Sequence, residues 1–413
     1  MKNKKKLFKW LLLFSASILV LAGLVLAAVA LIPFSPIRPE IRNIPDQAAF
    51  KLDEKVGLYR ANDGRELMVT WGSYGGLTIN DFAPARGGDL VPVSVDVFIW
   101  KPYSVKEEYR ATFRRDNTGK VTGLDWADAK GRPHGAARLE NPAYDQAEVR
   151  FHNGEVELVG LLMTPSSAGP HPAVVFVHGS GRSFRDYLSY LQTADYLARH
   201  GCAVLLPDKR GCGKSGGEWL TSTFDEYAKD ALAGVDLLAG VAAVDPRRIG
   251  LVGVSQGGWI LPLAAGKSDR VRFIVSISGS ATVLDETMRW ENAQGIRDAG
   301  VPGWLASIVE PVIASQIRKN HGTFWKLNGW FDPLPYWRTL SVPALVLNGE
   351  LDQNVPVKRS VAILESVRKQ NKKAEITIMI FAGSHHGLED PHTGEIRADS
   401  LSSMADWIRR VTL

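Results

Sequence analysis

Residues 248–266 read RIGLVGVSQGGWILPLAAG, and this stretch decides the fold. Ile249 to Val254 form a continuous apolar run rich in β-branched residues, the pattern of a strand covered on both faces. Gly257 to Ala265 read as a helix, and only Ser255 and Gln256 lie between the two. A chain that passes from buried strand to helix in two residues must turn sharply, and Gly253 and Gly257 lack the side chains that would obstruct it. Such a turn lifts Ser255 clear of the strand end and points unpaired helix amides, the Gln256 N–H among them, at the space beside its hydroxyl.

Working outward, further runs of the same kind flank this one: AVVFVHG from Ala173, AVLLPD from Ala203, FIVSISG from Phe273, PALVLNGE from Pro343 and ITIMIFAG from Ile376. They alternate with helical stretches. Between the second and third strands, Phe224, Tyr227, Ala231, Val235 and Leu238 recur at close to 3.6 residues. Strand–helix alternation of this kind predicts a doubly wound, mostly parallel α/β domain over residues 163–413. The alternation breaks once, at about residues 282–340, where Trp290, Trp304, Trp325, Trp330 and Trp337 accompany Phe324, Phe331 and Tyr336. So long an insertion predicts a helical cap whose tryptophans pack it against the core, one or two of them lining a pocket for an apolar group.

A serine hydroxyl becomes a nucleophile only when a base takes its proton, and the base must be oriented by an acid. In this architecture both follow the serine in the chain, at the ends of late strands. Two carboxylates, Glu350 and Asp352, follow PALVLNGE, and two imidazoles, His385 and His386, follow ITIMIFAG. Position alone leaves both choices open.

Over residues 155–413 the chain resembles the α/β-hydrolase superfamily, in its dienelactone-hydrolase and prolyl-oligopeptidase-like branch. The resemblance is carried by G-x-S-x-G at Gly253–Gly257, by G-x-x-D-x-x-V-P around Asp352 and by H-G at His386. It implies a Ser255–Asp352–His386 triad and hydrolysis of ester-type acyl bonds. It also implies that His178-Gly179-Ser180-Gly181 is the family's H-G-x loop, with the Ser180 backbone N–H joining that of Gln256 as oxyanion donors and His178 structural. Dienelactone hydrolases proper carry cysteine where this chain has Ser255. Prolyl oligopeptidases carry a large propeller for which this chain has no room. An aminopeptidase or acyltransferase would use the same triad, and a binding protein on an inactive hydrolase fold is the reading from another class.

Two other patterns are set aside. Asp208-Lys209-Arg210-Gly211-Cys212-Gly213-Lys214-Ser215 ends like a phosphate loop, but Asp208 stands where its first glycine is needed, and no helix opens after the strand. It resembles the superfamily's D-x-R-G-x-G-x-S turn. His385, His386, Glu389, Asp390 and His392 are a poor chelating set, since adjacent histidines do not easily reach one ion. No metal or organic cofactor is expected. Cys202 reads as a small core residue; Cys212 lies in a glycine-rich turn, and a bond between the two is left open.

The upstream part is organised differently. Lys2, Lys4, Lys5, Lys6 and Lys9 form a basic flank over residues 1–9. They account for the whole formal charge of +5, because without them 44 basic residues face 44 acidic ones. The body is neutral, with no basic face for nucleic acid. Residues 10–32, WLLLFSASILVLAGLVLAAVALI, carry no charge over 23 positions, long enough to span a bilayer. The flanking lysines place the N-terminus in the cytoplasm and the remainder on the far side, periplasmic or extracellular. Ala27, Ala28 and Ala30 leave cleavage of a signal peptide, and secretion, as the alternative. Pro33, Pro36, Pro39 and Pro45 predict a stiff stalk over residues 33–50. Residues 51–162 show short alternating runs joined by Asn-Asp-Gly and Asp-Asn-Thr-Gly turns, an antiparallel meander closing as a small barrel or sandwich. Within it, FRRDNTGKVTGL resembles strand pairs of lipocalin-like accessory domains on serine hydrolases, and a scaffold role is expected of it.

Overall fold

The chain alternates about every second residue from Gly57 onward, and the strands that result are short enough to close on themselves. In a computed structural model describing residues 47–413, save positions 83, 84, 105, 129 and 391, the first eight strands are β1 (Gly57–Ala61), β2 (Glu66–Trp71), β3 (Leu77–Phe82), β4 (Ala85–Pro92), β5 (Val97–Pro102), β6 (Tyr109–Arg115), β7 (Val121–Ala127) and β8 (Pro133–Arg138). Each pairs antiparallel with the next, and β8 returns to β1 to close a barrel. Tight turns make it possible, the expected Asp-Asn-Thr-Gly turn among them. Asp116 Oδ1 accepts from the Thr118 and Lys120 amides between β6 and β7, and Asp128 Oδ1 does the same for Lys130 and Arg132 between β7 and β8. Tyr59, Val69, Ile79, Phe98, Phe113 and Leu124 fill the interior. Leu58 and Met68, one position out of phase with that set, face outward and pack with Tyr144 and Met163 of the second domain.

That domain is a single eight-stranded sheet ordered β16-β15-β14-β13-β11-β12-β10-β9, comprising β9 (Tyr144–Asn153), β10 (Val156–Pro165), β11 (His171–Val177), β12 (Ala203–Pro207), β13 (Val244–Val254), β14 (Ile274–Ile277), β15 (Ala344–Gly349) and β16 (Ile376–Phe381). The six strands read from apolar runs are the six parallel ones. Their side chains alternate between two cores: Ala173, Val175 and Val177 of β11 face one way, Val174 and Phe176 the other. Burial on both faces is why these runs lack polar alternation. The sequence boundary at 162/163 is too late. β9 and β10 pair antiparallel with one another, and β10 with β12, so the sheet starts at Tyr144. β9 alternates like the meander strands, because it is an edge strand with one wet side, whereas β10 is buried continuously over Leu158–Met163.

Helices in chain order are α1 (Leu188–Arg199), α2 (Phe224–Ala239), α3 (Gly257–Ala265), α4 (Leu284–Asp298), α5 (Gly303–Asn320), α6 (Gly322–Asn328), α7 (Leu334–Thr339), α8 (Val357–Gln370) and α9 (Ala398–Thr412). α1 and α9 cover one face of the sheet; α2, α3 and α8 cover the other. α2 buries the five residues whose spacing announced it, and Thr223 with Glu226 completes its capping box. β12 lies on one side of β11 and β13 on the other. The order in which strands are added therefore reverses there, which opens a crevice at the carboxyl ends of the strands.

Helices α4 to α7 form the inserted cap. Phe224 of α2 meets Phe331 at 5.0 Å, and Phe331 stacks on Tyr336 at 5.7 Å. Buried Asn328 ties the cap down, accepting from the Phe224 amide (2.9 Å) and donating to the Ser222 carbonyl (3.0 Å). Trp337 is buried and Trp325 packs on the core, whereas Trp304 and Trp330 are exposed. Only part of the tryptophan set is therefore packing.

The basic flank, the apolar segment 10–32 and stalk residues 33–46 lie outside the described residues. Gln47–Phe50, the end of the expected stalk, instead form a 3₁₀ turn whose Phe50 packs on the barrel core. Among the described residues no helix is long and apolar enough to cross a membrane.

Candidate active site

The turn after β13 is as tight as its sequence demands. Ser255 has φ +52°, a left-handed conformation that costs a non-glycine residue about 1–3 kcal/mol. The surroundings hold it there: the Ser255 amide donates to the Ile277 carbonyl (2.8 Å), and the Ser255 carbonyl accepts from Gly258 (2.8 Å). A Cβ on Gly257 would lie 2.5 Å from the Val177 carbonyl oxygen, and one on Gly253 would lie 2.8 Å from Leu261. Strand and helix approach this closely only because both positions are bare.

Asp352 follows β15 and is fully buried. Its Oδ1 accepts from the Asn354 amide (2.8 Å) and the Val355 amide (3.0 Å). Its Oδ2 accepts from Nδ1 of His386, beyond β16, at 2.8 Å. With Nδ1–H so committed, Nε2 carries the lone pair. The competing residues are elsewhere: Glu350 is exposed and accepts from the Gly383 amide (3.1 Å), and His385 is exposed. The structure thus joins Asp352 to His386 and places both, with Ser255, at the carboxyl edge of the sheet. The cap reaches this loop through Glu291, which accepts from Asn354 Nδ2 at 2.7 Å. Burial raises the Glu291 carboxyl above its ordinary range, and Asp352 adds to the rise.

The loop after β11 lies against the serine: a Cβ on Gly179 would come within 3.5 Å of Ser255 Cβ. Gly179 donates its amide to Tyr190 Oη (3.1 Å), and Ser180 is exposed. His178 is buried, bonded through Nε2 to the Pro207 carbonyl, and burial pulls its pKa down to about 4. It stays neutral and within the fold.

Residues 208–215 fold about Asp208, whose carboxylate accepts from the Arg185 and Lys214 amides and from Ser73 Oγ of the barrel (2.7 Å). The barrel thereby touches the rim of the crevice. Arg210 pairs with Asp230 (2.6 Å). Lys209, which the sequence reading passed over, is buried and donates to three acceptors: Gly179 O (2.8 Å), Gly181 O (3.0 Å) and Gln256 Oε1 (2.7 Å). Burial lowers its pKa to about 7. Cys202 and Cys212 are both buried free thiols, and burial pushes Cys202 up to about 12.

Comparison with known proteins finds esterases and peptidases at low identity. Esterase EstD of Thermotoga maritima is 24% identical over 327 residues, 75% of this chain and 76% of its own length. An uncharacterized peptidase of Bacillus subtilis, YuxL, is 22% identical over 258 residues, 60% of this chain. Dipeptidyl-peptidase 5 of Porphyromonas gingivalis is 24% identical over 285 residues, 66% of this chain. The matched parts amount to 36% and 39% of those two peptidases, so the chain spans little more than a third of their length. Among solved structures, an esterase of Pyrococcus furiosus superposes with a TM-score of 0.50 at 23% identity, covering 65% of this chain and 92% of that one. A model of the alpha/beta hydrolase family matches residues 174–394, more than half of the sequence and all of the strands that carry Ser255, Asp352 and His386. The chain is a member of the α/β-hydrolase family.

Proposed function

We propose that this hydrolase cleaves carboxylic esters through an acyl-enzyme on Ser255. The observation that carries the proposal is the 2.8 Å bond from His386 Nδ1 to buried Asp352, which leaves Nε2 free to act as base at the edge where Ser255 is held. His386 takes the Ser255 proton as the oxygen attacks the acyl carbonyl. The Ser180 and Gln256 amides hold the oxyanion, and His386 returns the proton to the departing alcohol. Water then repeats the sequence and frees the acid. No step calls for a metal or cofactor.

The match to EstD over three quarters of both chains supports an ester substrate. A peptidase reading has the Bacillus and Porphyromonas relatives in its favour, although most of their length has no counterpart here. Purified full-length protein is expected to hydrolyse p-nitrophenyl esters, with an optimum between acetate and laurate that measures the acyl pocket. Turnover of aminoacyl p-nitroanilides with none of the esters would reverse the choice.

The uncharged run at residues 10–32 behind five lysines supports a tether in the bilayer, with the enzyme on the extracytoplasmic side. Full-length protein should then stay with membranes through alkaline carbonate washing. Release as a shortened chain would make the segment a cleaved signal.

A further inference from the structure

We propose that Lys209 is the positioning residue of the oxyanion site, its ammonium locking the turn around Ser180 to the Gln256 side chain so that both backbone donors converge on one point. The inference rests on the acyl-enzyme reading above.

The three bonds define the ion's work. Gly179 and Gly181 flank Ser180, and their carbonyls are two of the acceptors; Gln256, owner of the second amide, supplies the third. An ammonium has three donors and no acceptor, so it satisfies all three partners at once. A neutral amine has two N–H bonds and a lone pair, and that lone pair would face one of the oxygens. The charged form alone completes the clamp. Among the described residues no carboxylate shares the charge directly. Asp208 is taken up by Arg185, Lys214 and Ser73, and Asp230 by Arg210. From α2 the Tyr227 ring lies 5.0 Å from Nζ, a cation–π contact. His178 on the β11 loop is neutral, and burial raises the Cys212 thiol, so it too is uncharged near neutrality.

Burial opposes the charge and brings its loss to about pH 7. The clamp, and with it the rate, should weaken as pH rises through that value. Stability should move the other way. Because the unfolded chain keeps this lysine protonated to higher pH than the folded one, it binds more protons above about pH 7, and stability rises there. A residue that merely supported the fold would carry activity and stability in the same direction.

The test compares wild type, Lys209→Met and Gln256→Glu as full-length proteins. The readouts are the pH dependence of fluorophosphonate labelling, kcat and KM on p-nitrophenyl acetate, and thermal melting. Folded Lys209→Met should label and turn over roughly 100-fold more slowly with little change in KM, and should lose the alkaline decline. Gln256→Glu gives the ammonium an anionic partner and should move that decline up by about one pH unit or more. Wild-type rates in folded Lys209→Met overturn the proposal. If that variant does not fold, an unmoved decline in Gln256→Glu overturns it instead. Wild type that is labelled but hydrolyses no ester defeats the esterase reading alone, because labelling still reports on Lys209. Absence of labelling in wild type defeats both.

Discussion

Replacing Ser255 with alanine is expected to remove ester turnover by roughly 10⁵–10⁶-fold and to abolish fluorophosphonate labelling. The protein should still fold, since the bonds that hold the turn belong to the Ser255 backbone: its amide to the Ile277 carbonyl and its carbonyl to the Gly258 amide. Ser255→Gly sharpens the expectation. At φ +52° a glycine is free of the strain that any Cβ suffers, so this variant should melt higher than wild type, by about 1 kcal/mol of stability, while being equally inactive. Stabilisation coupled to complete loss of activity is the mark of a nucleophile held under strain. Labelling that survives in Ser255→Ala would put the nucleophile elsewhere.

What the sequence revealed and what it hid divide along physical lines. The parallel strands were legible because burial on both faces disfavours polar residues for four or five positions in a row, as in Ala173–Val177 and Ala203–Leu206. The elbow was legible because its glycines are demanded by approaches of 2.5–2.8 Å. β9 was misplaced because an antiparallel edge strand alternates whichever sheet it joins, and β10, apolar and buried over Leu158–Met163, went with it as the partner of its hairpin. The choice of Asp352 over Glu350 needed the resemblance, since both stand at the end of β15 and only the backbone decides which carboxylate turns inward. Lys209 was invisible for a related reason. A lone lysine in a polar turn reads as solvated, and its three acceptors come from loops 28 to 47 residues away. Glu291 was hidden in the same way, since only the fold of the cap carries it to Asn354.

The barrel gains significance from the same contacts. Its β2–β3 turn delivers Ser73 to Asp208, and the next residue after Asp208 is the lysine on the Ser180 turn. Leu58 and Met68 on the outer wall are buried against the sheet. The barrel's contacts therefore reach the rim of the crevice, where Ser73 bonds Asp208 through its hydroxyl and Asp186 through its amide.

Asp352→Asn is expected to lower kcat by about 10⁴-fold, or about 5.5 kcal/mol, with KM nearly unchanged. The geometry gives the reason atom by atom. Oδ1 is fixed as an acceptor by two backbone amides, Asn354 and Val355. In the variant the amide oxygen must keep that place, so the NH₂ group occupies the position of Oδ2, facing His386 Nδ1. A donor there forces Nδ1 to accept, and the ring proton moves to Nε2. The nitrogen that should take the Ser255 proton is then already protonated. The fold loses little, because the new side chain fills the same space and keeps both backbone bonds. Glu350→Gln and His385→Ala are the matched controls and should retain near wild-type rates, as both residues are exposed and apart from this pair. A fall of less than tenfold in Asp352→Asn, or a large one in His385→Ala, would mean that the imidazole is oriented by something other than the Asp352 carboxylate.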